Sequence, residues 1–218
     1  MTEQDPTATP ADVDTTETDE TPEIAAAMAA DALVPLDVEV APQPKSAPDD
    51  REQRGPFDVA EVTGVRPYID LGGVKVLPRA DLHLRLEVEE ATKRVVAVGL
   101  EYHGTTLQVQ PFAAPRSSGL WHDIREQIME QLRKQGAKAK PANGPFGPEI
   151  FAEIPVNQDG QQGWRLARFI GVDGPRWFLR GVIAGKGATD AEAANEVEEL
   201  FRSIVVVRGT SPMPPRDL

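Results

Sequence analysis

Between Trp164 and Gly185 the chain reads WRLARFIGVDGPRWFLRGVIAG, two β-rich segments around Asp173-Gly174-Pro175. β-branched and aromatic residues on both sides of a turn-forming triplet predict an antiparallel hairpin. If Gly171 pairs with Arg176, which a two-residue or a four-residue loop allows, Trp164, Leu166, Ile170, Val172, Trp177, Leu179 and Ile183 share the core face. The opposite face then carries Arg165, Phe169, Arg176, Phe178 and Arg180, with Phe169 across from Phe178. Aromatic rings flanked by guanidiniums suit planar anionic ligands or acidic peptides. The competing reading is that a helix or the N-terminal segment covers both phenylalanines while the arginines reach out to water. A three-residue loop would exchange the two faces.

The rest of the chain supplies layers for that hairpin. Leu82, Leu84, Leu86 and Val88 alternate with His83, Arg85 and Glu87, the pattern of a half-buried strand. Glu89 to Thr92 turn the chain, and Lys93 to Tyr102 and Thr106 to Gln110 complete a three-stranded meander. A shorter strand is expected near Tyr68 to Leu77, broken at Gly72-Gly73. Leu120, Ile124, Ile128 and Leu132 repeat every four residues, predicting a helix from about Gly119 to Gln135 that stops at Gly136. Ala137 to Gly147 reads as a Pro/Gly/Lys loop, and a strand follows near Glu149 to Val156. Thr189-Asp190-Ala191-Glu192 is a capping box for a second helix, whose apolar stripe is Ala194, Val197, Leu200, Phe201 and Ile204. Val205 to Val207 form a last short strand. The expected class is α+β: a mostly antiparallel sheet with two helices packed on it. This order of elements is similar to that of PsbP-like sandwiches.

Charge divides the chain. Residues 1–54 hold 14 acidic and 3 basic side chains, a net of −11 out of the total −12. The remainder is nearly neutral, so no part offers the net positive footprint that non-specific nucleic-acid binding needs. The segment is also poor in large apolar residues, which predicts a disordered acidic tail over 1–54. Within it, Thr21-Pro22 through Leu33 could form a short helix, one too short to persist in isolation. One folded domain is expected over 55–209, with a Pro-rich tail over 210–218. The tail is expected to compete with an anionic ligand or partner for Arg165, Arg176 and Arg180. No cysteine is present, which excludes disulfides, thiolate metal sites and cysteine nucleophiles. With an acidic N-terminus and no long apolar run, a cytoplasmic location and no membrane contact are expected.

Three constellations could carry chemistry. Ala114-Pro115-Arg116-Ser117-Ser118-Gly119 leads into a helix, so its hydroxyls and N–H groups could cradle an anion beside Arg116; ordinary capping by Ser117 or Ser118 uses the same residues. His122 and Glu126 are one helical turn apart, a spacing for shared metal ligation, but no further ligand lies near them in sequence. Glu196, Glu198 and Glu199 fit a solvated helix face. No catalytic residue, metal or cofactor is expected.

LQVQPFAAPRSSGLW at Leu107–Trp121, GVDGPRWFLRG at Gly171–Gly181 and VVVRG at Val205–Gly209 resemble blocks of an actinobacterial family of uncharacterised proteins, over about Gly55 to Leu218. The resemblance implies no activity, substrate or site residue. That family's genes lie near those for a dUTPase and an OB-fold protein, which implies a link to nucleotide metabolism. The expectation is a non-enzymatic protein-binding or assembly module with a protein as partner. The alternative is an enzyme or binding protein for a phosphate-bearing small molecule such as a nucleotide.

Overall fold

The computed structural model describes residues 42–88, 95–158 and 161–208. The expected helix at 21–33, the turn at 89–92 and the tail at 210–218 lie outside the described residues. The architecture is α+β with mostly antiparallel sheets. Seven strands form the main sheet in the order β4 (His83–Val88), β5 (Val95–Tyr102), β6 (Thr105–Ala113), β10 (Trp177–Gly185), β9 (Gln161–Asp173), β8 (Gly147–Gln158) and β7 (Lys138–Gly144). A small sheet joins β1 (Phe57–Asp58), β11 (Val205–Val206), β3 (Val74–Val76) and β2 (Ile69–Asp70); its β1–β11 pair is parallel. Besides a one-turn α1 (Arg51–Arg54), the described helices of any length are α2 (Trp121–Lys134) and α3 (Ala191–Arg202).

The two long helices lie against opposite faces of the main sheet, because the strands between them are apolar on both sides. On one face Ile170, Val172, Trp177, Leu179 and Ile183 meet Val197, Leu200 and Phe201 of α3 and Val74, Val76 and Val206 of the small sheet. On the other, Trp121, Ile128 and Leu132 of α2 pack on Ile150, Ile154, Phe169, Phe178 and Val182. Such two-sided burial explains why the hairpin reads as a continuous apolar run rather than a strict alternation.

The hairpin's faces are as expected and its register is not. Phe178 pairs with Asp173, Arg180 with Gly171, and Val182 with Phe169. Gly174 N donates to Trp177 O at 2.7 Å, so the turn is centred on Pro175-Arg176. Proline is pre-set for the first central position of a turn, whereas a turn centred on Asp173-Gly174 would put it past the bend. The shift moves each facing residue by four, an even number, and leaves every side chain on its own face. Two expected core residues differ: Trp164 is 52% exposed, with Lys138 Nζ 4.3 Å from its ring centroid, and Leu166 is only half-buried.

Three further expectations change. Residues 138–144, read as a loop, form the edge strand β7; Lys138, Lys140 and Pro141 are residues that outermost strands tolerate. The cap of α3 is Asp190 rather than Thr189: its carboxylate accepts from Glu192 N and Ala193 N, while Thr189 Oγ1 donates to Lys186 O. The boundary expected after Arg54 falls too late, since residues 42–54 lie on the body. All three basic residues of the 1–54 segment take part: Lys45 Nζ donates to the carbonyls of Gly174 and Pro175, Arg51 forks onto both oxygens of Glu61, and Arg54 reaches Glu199.

Candidate functional site

The start of α2, which the sequence leaves open to an anion cradle or to ordinary serine capping, already holds a carboxylate. Asp173 ends β9 with its carboxylate buried beneath the helix: Oδ1 accepts from Leu120 N at 2.9 Å, and Oδ2 from Trp121 N at 3.4 Å and Ser46 N at 2.9 Å. Burial pushes this carboxyl above its usual range, against the pull of the three N–H donors and Lys45. A second anion would meet a like charge where the helix dipole is already complemented. Ser118 Oγ accepts from Gln43 N, neither serine side chain bonds a helix N–H, and Arg116 and Ser117 are exposed. Asp173 therefore joins three segments: the 42–48 strap, the hairpin and α2.

The hairpin arginines do not form a common surface. Phe169 and Phe178 are buried under α2, Phe178 stacking on Trp121 with centroids 5.7 Å apart. Arg180 is only 3% exposed; its Nη2 donates to Gln110 Oε1 at 2.5 Å and its guanidinium lies over Phe112. Burial lowers the Arg180 pKa to about 10, with Glu87 opposing the shift. Arg176 is exposed at the turn, and Arg165 is half-buried on β9, eight residues from Asp173 and so roughly 26 Å from the turn end of its strand. A tail cannot compete for a patch whose central arginine is inside the fold.

The burial of a charged network was not anticipated. Arg168 sits in the core phase of β9, between Ala167 and Phe169, and donates to Glu149 of β8 and Glu198 of α3 at 3.0 and 2.7 Å. All three side chains are nearly buried. Burial disfavours the guanidinium's charge, and the two carboxylates outweigh it and raise its pKa. This network clamps α3 to the sheet. The signal was available, since an arginine in the apolar phase of a strand requires a buried partner. His122 and Glu126 do approach, at 3.4 Å, on the exposed side of α2. No group of three or more metal-ligating side chains occurs among the described residues, and no helix there is long and apolar enough to cross a membrane.

With the middle of the main sheet covered on both faces, its edges are surfaces with directional chemistry. β7 is guarded by Lys138, Lys140 and Pro141. β4 has no proline, and its Leu86 and Val88 are 49% and 45% exposed. Among the described residues no strand pairs with the outer edge of β4. Its backbone donors and acceptors on that side form a row that another strand can read.

A family model matches residues 55–218. The chain belongs to the family of proteins of unknown function DUF3710. No curated protein matches it. The DUF3710 match begins at Gly55 and leaves out Lys45, Ser46 and Arg51, which the fold uses. Among solved structures, a protein of Bacteroides thetaiotaomicron VPI-5482 aligns at 12% identity and a TM-score of 0.38, over 65% of this chain. The chain spans about half, 48%, of that protein's length. Cyanobacterial PsbP (CyanoP) from Synechocystis sp. PCC 6803 aligns at 12% identity and a TM-score of 0.33, over 79% of this chain and 97% of its own.

Proposed function

We propose that this DUF3710 protein is a non-enzymatic assembly module that docks a polypeptide strand along β4. The observation that supports this reading is the contrast between two edges of one sheet. Two lysines and a proline guard β7, while β4 has no proline, balances Arg85 against Glu87, shifts register against β5 only at Glu87/Val88, and keeps two half-exposed apolar side chains. Natural proteins blunt sheet edges against pairing, so an open edge that keeps exposed leucine and valine fits use rather than neglect. A phosphate-bearing ligand at Arg116–Gly119 has less support, because Asp173 fills the helix end there. The lack of cysteine fits a cytoplasmic setting.

Photo-cross-linking side chains placed at His83 on β4 and at Lys140 on β7, in the cell of origin, test the reading. Polypeptide adducts are expected from position 83 alone, and Leu86→Lys should abolish them. Equal adducts from both positions, or none from position 83, would refute it.

A further inference from the structure

Along β4 the order of charge reverses about Leu86: Arg85 precedes it and Glu87 follows it, with Leu84 and Val88 one step further out. Leu84 packs on the core beneath α3, so the even positions share that face, while Arg85 and Glu87 point to the α2 side. Consider two copies of β4 related by a two-fold axis perpendicular to the sheet. Such an axis pairs residues of like parity, so both copies keep their apolar residues on one face. With the axis at Leu86, Arg85 of each copy lies opposite Glu87 of the other. Leu84 meets Val88, and Leu86 meets its own counterpart. Moving the axis to Arg85 or Glu87 instead sets two arginines or two glutamates directly opposite, which is destabilising.

We propose that the partner of β4 is a second copy of this chain, joined antiparallel about Leu86 into one continuous sheet. This rests on the strand-docking reading above and names its occupant. The contact spans residues 84–88 of each copy, less than a permanent dimer buries, so the association is weak and concentration-dependent. Its specificity resides in the two reciprocal Arg85–Glu87 pairs.

Sedimentation velocity of the full chain over a concentration series tests the proposal. A reversible monomer–dimer equilibrium is expected. Arg85→Glu and Glu87→Arg should each weaken it by about tenfold or more, since each creates two like-charge contacts. A mixture of the two variants should dimerise again: each introduced carboxylate meets an introduced guanidinium, and the native Glu87 of one meets the native Arg85 of the other. If either charge variant fails to fold, Leu86→Lys replaces it. That substitution sits at a half-exposed position, sets two ammonium groups face to face, and should give a folded monomer. Dimerisation indifferent to the charge reversals, or to Leu86→Lys, would overturn the proposal. So would a full chain that stays monomeric at all concentrations. If it is monomeric while position 83 still cross-links to a different polypeptide, self-pairing fails and strand docking stands; if position 83 gives no adduct either, both fail. An adduct within one chain, to residues 1–41, would assign the edge to the protein's own segment and also overturn self-pairing.

Discussion

Asp173→Ala should be among the most damaging substitutions of a polar residue in the fold. The carboxylate is the acceptor for Leu120 N and Ser46 N at 2.9 Å and a weaker one for Trp121 N at 3.4 Å. Losing an anion from a helix start costs ~0.5–2 kcal/mol. Leaving the Ser46 donor without an acceptor at a partly buried site adds ~1–3 kcal/mol. The total is about 3 kcal/mol, and for a domain of this size each ~1 kcal/mol lowers the melting temperature by about 2–4 °C, giving about 6–12 °C. Differential scanning calorimetry measures the shift, and hydrogen exchange at Ser46 and Leu120 localises it. Asp173→Asn should be milder, because one oxygen remains and burial already favours an uncharged group there. The raised pKa also fixes the sign with pH: the folded state binds the proton more tightly, so this residue's contribution falls as pH rises from the unfolded value of 3.8 through the folded one. Asparagine removes that slope. A melting temperature within about 2 °C of the parent for the alanine variant, with unchanged exchange at Ser46, would refute the hub reading.

A chain beginning at Pro42 should melt like the full chain, while one beginning at Gly55 should melt lower, having lost the Ser46–Asp173, Arg51–Glu61 and Asp50–Arg202 contacts; equal melting temperatures would show the strap to be dispensable. Arg168→Met strands two nearly buried carboxylates and should cost ~3–5 kcal/mol in urea denaturation, part of which returns when Glu149 and Glu198 are also made glutamine. Asp190→Ala should cost ~1 kcal/mol and Thr189→Ala much less, the reverse ranking pointing to Thr189 as the cap. Burial pushes the Glu61 carboxyl up, but the Arg51 fork and the Asp58 N–H outweigh this and hold it below its ordinary 4.5. Its stabilisation is therefore present above that value and lost as pH falls through the folded pKa, so Glu61→Gln should destabilise at neutral pH and progressively less on acidification.

What could be read from the sequence follows the physics of each element. Leu120, Ile124, Ile128 and Leu132 declared α2 because residues four apart share a helix face, whereas a strand would put the polar His122, Glu126 and Glu130 on that same face. The hairpin's faces were legible through a wrong register because alternation depends on parity alone, whereas register depends on where Pro175 sits in the turn. β7 was hidden because Lys138, Lys140 and Pro141 are the residues that make an edge strand resemble a loop. The 42–54 strap left no compositional trace, since it is held by polar bonds to Asp173, Gly174 and Glu61 rather than by apolar burial. Of the candidate site, the arginines were visible but their fates were not. Arg180 is enclosed beside Gln110 and Phe112 of β6 while Arg176 is exposed at the turn, because the neighbouring strand comes from elsewhere in the chain and the tip reaches beyond it.

Gly171 and Gly181 lie on neighbouring strands and are bare toward opposite sides of the sheet. A methyl group at 171 would come within 2.5 Å of the Trp121 ring, and one at 181 within 2.9 Å of Phe201. The sheet is thus thinnest at the spot where its two coverings carry their largest rings. Bulk at 171 is exchangeable only against bulk at 121 and 178, and bulk at 181 only against bulk at 201 and 170. As DUF3710 sequences diverge, these positions should change in concert and seldom singly, with the order of events fixed: the ring must shrink before the glycine can grow.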